Sequence, residues 1–203
     1  LKEMDTTLHG QYTMEKYKSG LTGKHRFVED PTFTFKKPVF KKKVNLPLAE
    51  EDPISNVYLR KRGLNPKKFY FADRFKHFCN THKPTFEDTK RDHSRIVIPL
   101  YDKNNNLIGF QGRSLDPTQK PKYLTVMLSD ESPKIYGLEK INEQKPVYIV
   151  EGPFDSTFVE NSVAMCGSDV DIRTLGWSNY IWVFDNEPRN RENINRISRV
   201  IDR

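Results

Sequence analysis

Three short apolar runs in the last third of the chain, separated by polar stretches long enough for helices, constrain the fold most strongly. The runs are 147–150, 163–166 and 180–184. The stretches that predict helices are 154–161, 169–175 and 189–201. Alternating strands and helices are typical of a parallel sheet, because each helix returns the chain so that the next strand runs in the same direction. Residues 146–203 are therefore predicted to form an α/β domain, a parallel sheet flanked by helices.

The residues before this domain predict a smaller mixed α+β subdomain over 50–145. Asp52 can cap a helix that begins at Pro53 and ends at Gly63. The aromatic-rich stretch 66–78 predicts a small core. Three apolar runs predict strands, and the first two are joined by a polar turn typical of a β-hairpin. They are 95–101, 107–113 and 121–126.

Residues 1–49 show no sustained periodicity and predict a basic linker or arm. The net charge of +7 comes from the front of the chain: residues 1–90 hold 19 of the 34 Lys and Arg but only 11 of the 27 Asp and Glu. The densest cluster is Lys36, Lys37, Lys41, Lys42 and Lys43. Lysines interleaved with Phe residues suit a nucleic-acid strand, since the charges meet phosphates and the rings stack on bases. An arm whose Phe residues merely dock on the domain is the equal alternative.

Two other features limit the class of protein. No apolar run is long enough for a transmembrane helix, so no membrane partner is expected. The two cysteines, Cys79 and Cys166, lie far apart and neither belongs to a paired motif, which predicts neither a disulfide framework nor a zinc site. A reducing, cytoplasmic location is the expectation.

Carboxylates follow two of the predicted strands. Glu151 comes directly after the first strand, and Asp185 and Glu187 follow the third. Ligands of open α/β sheets bind at the carboxyl ends of the strands, so these side chains are expected to meet at one rim, with Asp155 facing the same crevice. Several carboxylates in one pocket favour Mg²⁺ or Mn²⁺. The alternative is that Glu151 and Asp155 only interact with a helix dipole.

The pattern Glu151-Gly-Pro-Phe-Asp155 after one strand, with Asp185-Asn-Glu187 after another, resembles the two acidic signatures of the Toprim fold. Four upstream segments occur in the order seen in the RNA-polymerase domain of bacterial replicative primases. They are Arg95–Asp102, Ile108–Arg113, Pro121–Leu124 and Ile135–Leu138. The chain is most similar to the primases of T-even-type tailed phages, and the resemblance covers roughly residues 50–203.

The resemblance implies a DNA primase that makes short RNA primers from ribonucleoside triphosphates on a single-stranded DNA template, with a replicative helicase as partner. It implies that Asp185 and Glu187 are catalytic metal ligands, that Asp155 is a further ligand, and that Glu151 is a catalytic ligand or general base. Four basic residues are implied to line the nucleotide and template groove. They are Arg95, Arg113, Lys122 and Lys134.

The sequence departs from the primase pattern at both ends. The paired Cys and His ligands of a zinc ribbon are absent, so zinc is expected in a full-length parent but not in this chain. The chain is accordingly expected to be a fragment, weakly active or inactive alone. Two alternatives remain open: a Toprim nuclease or topoisomerase fragment, and a non-catalytic nucleic-acid-binding module.

Overall fold

The computed structural model describes residues 6–18, 44–167, 170–187 and 189–201. The chain divides into two compact units, residues 1–40 and 41–203. In the first unit, helix α1 spans Thr6–Lys18, so this part of the predicted arm is helical, and the assignment of 1–49 as a basic linker or arm stays a prediction. The lysine cluster at 36–43 lies outside the described residues.

The described residues of the second unit form three more α-helices and eight strands. The helices are α2 (Pro53–Lys61), α3 (Phe75–His82) and α4 (Arg191–Ile201). The strands are β1 (Tyr70–Ala72), β2 (Arg95–Tyr101), β3 (Leu107–Ser114), β4 (Tyr123–Met127), β5 (Ile135–Tyr136), β6 (Val147–Val150), β7 (Ser162–Met165) and β8 (Tyr180–Trp182). No helix in the described part of the chain is both long and apolar enough to cross a bilayer.

Helix α2 begins as its capping residues predict. The Asp52 carboxylate accepts a hydrogen bond from the Ser55 backbone N–H at 2.7 Å, and Pro53 occupies the first turn. The buried side chains of the helix are Ser55 and Leu59, whereas Ile54 is 69% exposed. Polar Ser55 therefore packs inward, which apolar spacing alone does not predict.

The first sheet is antiparallel, with the order β1-β2-β3-β4. The predicted hairpin forms its centre, and Ile96 pairs with Arg113 while Ile98 pairs with Gln111. Because paired residues point to the same face of a sheet, Arg113 and Gln111 lie on the face of Ile96 and Ile98, and Arg95 lies on the opposite face.

The second sheet has the order β5-β7-β6-β8. Strand β6 is parallel to both β7 and β8, as predicted. Strand β5 is antiparallel to β7 and forms one edge, so the sheet is mixed rather than wholly parallel.

The connections within this sheet are shorter than predicted. In place of a helix over 154–161 there is one 3₁₀ turn, Asp155–Phe158, and in place of a helix over 169–175 there is another, Ile172–Leu175. In the first turn, the hydroxyls of Ser156 and Thr157 donate to the carbonyls of Pro153 and Phe154. Such local bonds compete with α-helical bonding.

The two sheets pack face to face around one core. Ile96 and Ile98 of β2 meet Val150 of β6 and Ala164 of β7 in a single cluster of buried residues. The outer face of the first sheet is covered by α3 through Phe75 and other side chains. This packing brings one face of β3 and β4 next to the carboxyl end of β6, where the acidic residues lie.

Candidate active site

A cavity of about 430 Å³ opens where the two sheets meet. Its walls come from the face of β3 and β4, the end of β6 and the segments after β7 and β8. The lining residues are Arg62, Gln111, Arg113, Lys122, Tyr123, Thr125, Glu151, Gly152, Pro153, Asp155, Met165, Cys166, Gly167, Asp185 and Arg196. Carboxylates and cations therefore share one cavity.

Three of the four acidic residues predicted from the sequence line this cavity: Glu151, Asp155 and Asp185. Glu187 does not line the cavity and is exposed. Its negative charge nevertheless contributes to raising the pKa of Glu151. Asp185 is held by its backbone, because the Asn193 side chain of α4 donates to the Asp185 carbonyl at 3.0 Å. The parallel pairing of β6 and β8 is what brings the two strand-end acids together.

Glu151 is the most perturbed of these acids. Burial raises the pKa of its carboxyl, and the negative charges of Asp185 and Glu187 raise it further. The Arg196 guanidinium opposes this rise and lies 3.5 Å from Glu151 Oε2. The other oxygen, Oε1, is buried without a hydrogen-bond partner among the residues described.

Gly152 lies next to Glu151 and against the side chain of Asp155. A side-chain carbon at this position would collide with an Oδ2 oxygen of Asp155. The Asp155 carboxylate therefore lies close to the Gly152 backbone, but it is the end of a side chain that can move aside, so the contact alone does not require glycine.

The acids fit a divalent cation by donor chemistry. Mg²⁺ and Mn²⁺ bind hard carboxylate oxygens, and a cation would relieve both the repulsion and the unpartnered Oε1 of Glu151. However, no three Asp, Glu, His or Cys side chains in the described ranges are grouped so that they could hold a metal ion. The donors are present but the ligand cage is not preformed.

Arg113 lines the same cavity as the acids. Its guanidinium lies 4.7 Å from the centre of the Tyr123 ring and 5.9 Å from that of Tyr58. Arg113 is only 8% exposed, and its Nε has no hydrogen-bond partner within the described structure. Lys122 also lines the cavity but is exposed. A cation clamped between two rings has a fixed position, which suits phosphate contact.

Arg95 does not line the cavity, contrary to the prediction. It is 2% exposed and lies on the α3 face of the sheet, 5.9 Å from the Phe75 ring. Its guanidinium donates to the carbonyls of Gly112 at 3.1 Å, Lys122 at 3.2 Å and Pro121 at 3.0 Å. Arg95 therefore fixes the backbone that carries the cavity cations instead of meeting a ligand itself.

Lys134 is also outside the cavity. Its side chain is exposed on the segment that leads into β5, and its carbonyl accepts the backbone N–H of Cys166 at 2.9 Å.

The glycines of β3 serve packing. A side-chain carbon on Gly112 would lie 2.5 Å from the Phe75 ring, and one on Gly109 would lie 2.7 Å from the Val126 carbonyl oxygen. Both glycines therefore allow close contacts within the protein.

Several lining residues escape the sequence analysis. Arg62 follows α2 and lies 5.8 Å from the Phe154 ring, and Arg196 comes from α4. Gln111 and Thr125 face each other across β3 and β4. The alternation of β3 indicates that residue 111 shares a face with Arg113, but nothing local indicates that α4 returns Arg196 to the acids.

Comparisons with known proteins agree on one family. Residues 76–140 match the family model described as the DNA primase catalytic core, N-terminal domain. The DNA primase of Enterobacteria phage T4 is 33% identical over 213 residues, an alignment that covers 100% of this chain and 61% of the phage protein. The chain thus spans about three fifths of that relative.

Solved primase structures share the fold. The E. coli primase catalytic core matches with a TM-score of 0.55 and 22% identity, over 73% of this chain and 61% of that one. A DnaG primase catalytic domain bound to single-stranded DNA matches with a TM-score of 0.52 and 22% identity, over 73% of this chain and 60% of that one. These two matches show a shared fold, and the relative that aligns over the whole chain is a DNA primase rather than a nuclease or topoisomerase.

Proposed function

We propose that this chain is the catalytic core of a primase that joins ribonucleotides into short RNA primers on single-stranded DNA, because its alignment with the DNA primase of phage T4 covers the whole chain. The observation that carries the proposal is the shared cavity, where strand-end carboxylates face an aromatic-clamped arginine. Nucleotidyl transfer needs both, since developing negative charge on the phosphates must be stabilised while a hydroxyl attacks.

We propose that Glu151, Asp185 and Glu187 hold Mg²⁺, with Asp155 as a further ligand. Bound Mg²⁺ supplies charge neutralisation at the phosphates and lowers the pKa of the attacking 3′-hydroxyl. The Arg196 guanidinium lies 3.5 Å from Glu151 Oε2 and would compete with a cation for that oxygen, whereas Oε1 has no partner among the described residues. The raised pKa of Glu151 also suits a proton acceptor, so the ligand and general-base roles both remain assigned to this residue.

Arg113 and Lys122 are proposed to bind phosphates of the nucleotide or the template. Arg113 offers a fixed, partly desolvated fork, whereas Lys122 is an exposed point charge that adapts to its ligand. Lys134 is proposed as an outlying template contact because it is exposed on a neighbouring segment.

Single-stranded DNA and ribonucleoside triphosphates are the proposed substrates, and a replicative helicase the proposed partner. The cytoplasm, of the host cell if the protein is phage-encoded, is the proposed location, since the replicating DNA is there. Lysines 36, 37 and 41–43 are proposed to contact DNA phosphates. Replacing these five with Gln should weaken binding to every sequence alike and flatten the dependence of affinity on salt. An unchanged salt slope would assign the segment to a linker role.

The proposed activity is tested with labelled ribonucleotide and a single-stranded DNA template. Wild-type protein should yield short RNA products that require a divalent cation, and Glu151→Gln and Asp185→Asn should each lower the yield by at least about 100-fold. Glu131→Gln, the same change at an exposed acid, should not. Template cleavage in place of synthesis would indicate a nuclease, and normal yield from both active-site variants would refute the catalytic assignment.

A further inference from the structure

Gln111 is a buried amide on the wall of the candidate active site. It lies in β3, is 4% exposed, and shares the cavity with Glu151 and Arg113. A buried side-chain amide needs partners for both its oxygen and its nitrogen, because an unmet hydrogen bond costs free energy in a desolvated site.

The orientation of this amide is fixed by Thr125. Gln111 Nε2 donates to Thr125 Oγ1 at 3.1 Å, and Thr125 Oγ1 donates in turn to the Cys166 carbonyl at 2.8 Å. The hydroxyl has one proton, which the carbonyl takes, so only its lone pairs remain for Gln111. A flipped amide would place two acceptors against each other.

The carbonyl oxygen of Gln111 is therefore held as an acceptor. Oε1 is buried, and no donor from the described parts of the chain reaches it. The side chain is anchored at its nitrogen, so the oxygen cannot turn elsewhere without breaking the Thr125 contact. The site thus presents a fixed acceptor whose donor has to come from a molecule that enters the cavity.

A nucleotide offers two kinds of donor, the sugar hydroxyls and the base N–H groups, since its phosphates accept. Gln111 and Arg113 point to the same face of β3 at i and i+2, which places them about 7 Å apart along the strand. With a phosphate at Arg113, the group at Gln111 lies about one sugar ring away. This spacing favours a sugar hydroxyl over the more distant base.

We propose that Gln111 accepts a hydrogen bond from a ribose hydroxyl of the bound nucleotide and so helps the site select ribonucleotides. This inference rests on the proposed primase function. The 2′-hydroxyl is the group that separates RNA from DNA precursors, and a site built to bond a hydroxyl rejects the analogue that lacks it.

The test is equilibrium binding of ATP, 2′-deoxy-ATP, 3′-deoxy-ATP and purine riboside triphosphate to the whole chain with Mg²⁺. Wild-type protein should bind 2′-deoxy-ATP on the order of tenfold more weakly than ATP. Gln111→Met keeps the size of the side chain without its acceptor, so it should bind that analogue and ATP alike. Gln144→Met, at an exposed glutamine, should keep the wild-type preference.

Thr125→Val provides a second variant, because it removes the hydroxyl that orients the amide and should weaken the same preference. The wild-type comparison stands even if a variant fails to fold. Equal binding of ATP and 2′-deoxy-ATP would overturn the role of Gln111 alone, and so would a loss of affinity confined to 3′-deoxy-ATP. Purine riboside triphosphate lacks the 6-amino group of ATP. If the preference for ATP depends on that group, the contact is with the base and the proposed role of Gln111 is overturned. Failure to bind any of the four nucleotides would overturn the proposed function itself.

Discussion

Replacing Arg95 with Met should loosen the backbone that carries the cavity cations. Met keeps most of the apolar stem of the side chain but removes the guanidinium that bonds the carbonyls of Gly112, Pro121 and Lys122. The Ser114 N–H still donates to the Lys122 carbonyl at 3.0 Å, so this carbonyl keeps one of its hydrogen bonds. The other two carbonyls lose the donor that Arg95 provides.

The expected cost follows from burial. A hydrogen bond from a charged donor contributes about 1.5–3 kcal/mol. The Gly112 contact is buried, whereas Pro121 is exposed and its carbonyl can turn to water. Burial also lowers the pKa of Arg95, because keeping the guanidinium charged away from water costs free energy. We therefore expect a net loss of about 2 kcal/mol, which lowers the Tm of a chain of this size by roughly 4–8 °C.

Urea unfolding followed by circular dichroism measures this loss. The exposed neighbour Arg91 supplies a control, since Arg91→Met should change the free energy of unfolding by less than about 0.5 kcal/mol. In the folded Arg95→Met protein, nucleotide affinity should also fall, because Lys122 is no longer held in place. A stability change as small as that of the control, with unchanged nucleotide affinity, would refute the reasoning.

Three further predictions concern packing, a buried thiol and the metal site. Gly112→Ala should destabilise the fold by about 1–3 kcal/mol, because the new methyl group meets the Phe75 ring; an unchanged urea midpoint would disprove that contact. Burial raises the pKa of Cys79 to about 12, so at pH 9 the native thiol stays protonated and should resist iodoacetamide until the protein unfolds; rapid native labelling would contradict this. Arg196→Gln should tighten Mn²⁺ binding several-fold, because the guanidinium no longer competes at Glu151; weaker binding would show that Arg196 supports the site.

Much of this fold is predictable from local pattern. The hairpin, the capped helix and the apolar strands are encoded within a few residues each, and the structure has them within one or two positions. The meeting of Glu151 with Asp185 also follows from sequence, because parallel neighbouring strands end at one edge. The whole acidic rim could not be predicted, since Glu187 depends on the path of a loop after β8.

The remaining features depend on contacts between distant segments. Arg95 and Arg113 are chemically equivalent in the sequence. Only the strand register shows that Arg95 lies on the α3 face of the sheet and Arg113 on the cavity face. The turn at Asp155–Phe158 forms because hydroxyls bond nearby carbonyls, which helix-length spacing does not indicate. The Gln111 acceptor becomes visible only when Thr125 and Cys166 are placed beside it.

The central claim is that the strand-end carboxylates of this cavity bind the divalent cation on which nucleotidyl transfer depends. Anomalous diffraction from crystals soaked in Mn²⁺ locates such an ion directly. The account predicts a peak at about 2.0–2.6 Å from carboxylate oxygens of Glu151 and Asp185, which disappears in the Glu151→Gln, Asp185→Asn double variant. Mn²⁺ bound only elsewhere, or an unchanged peak in that variant, would contradict it.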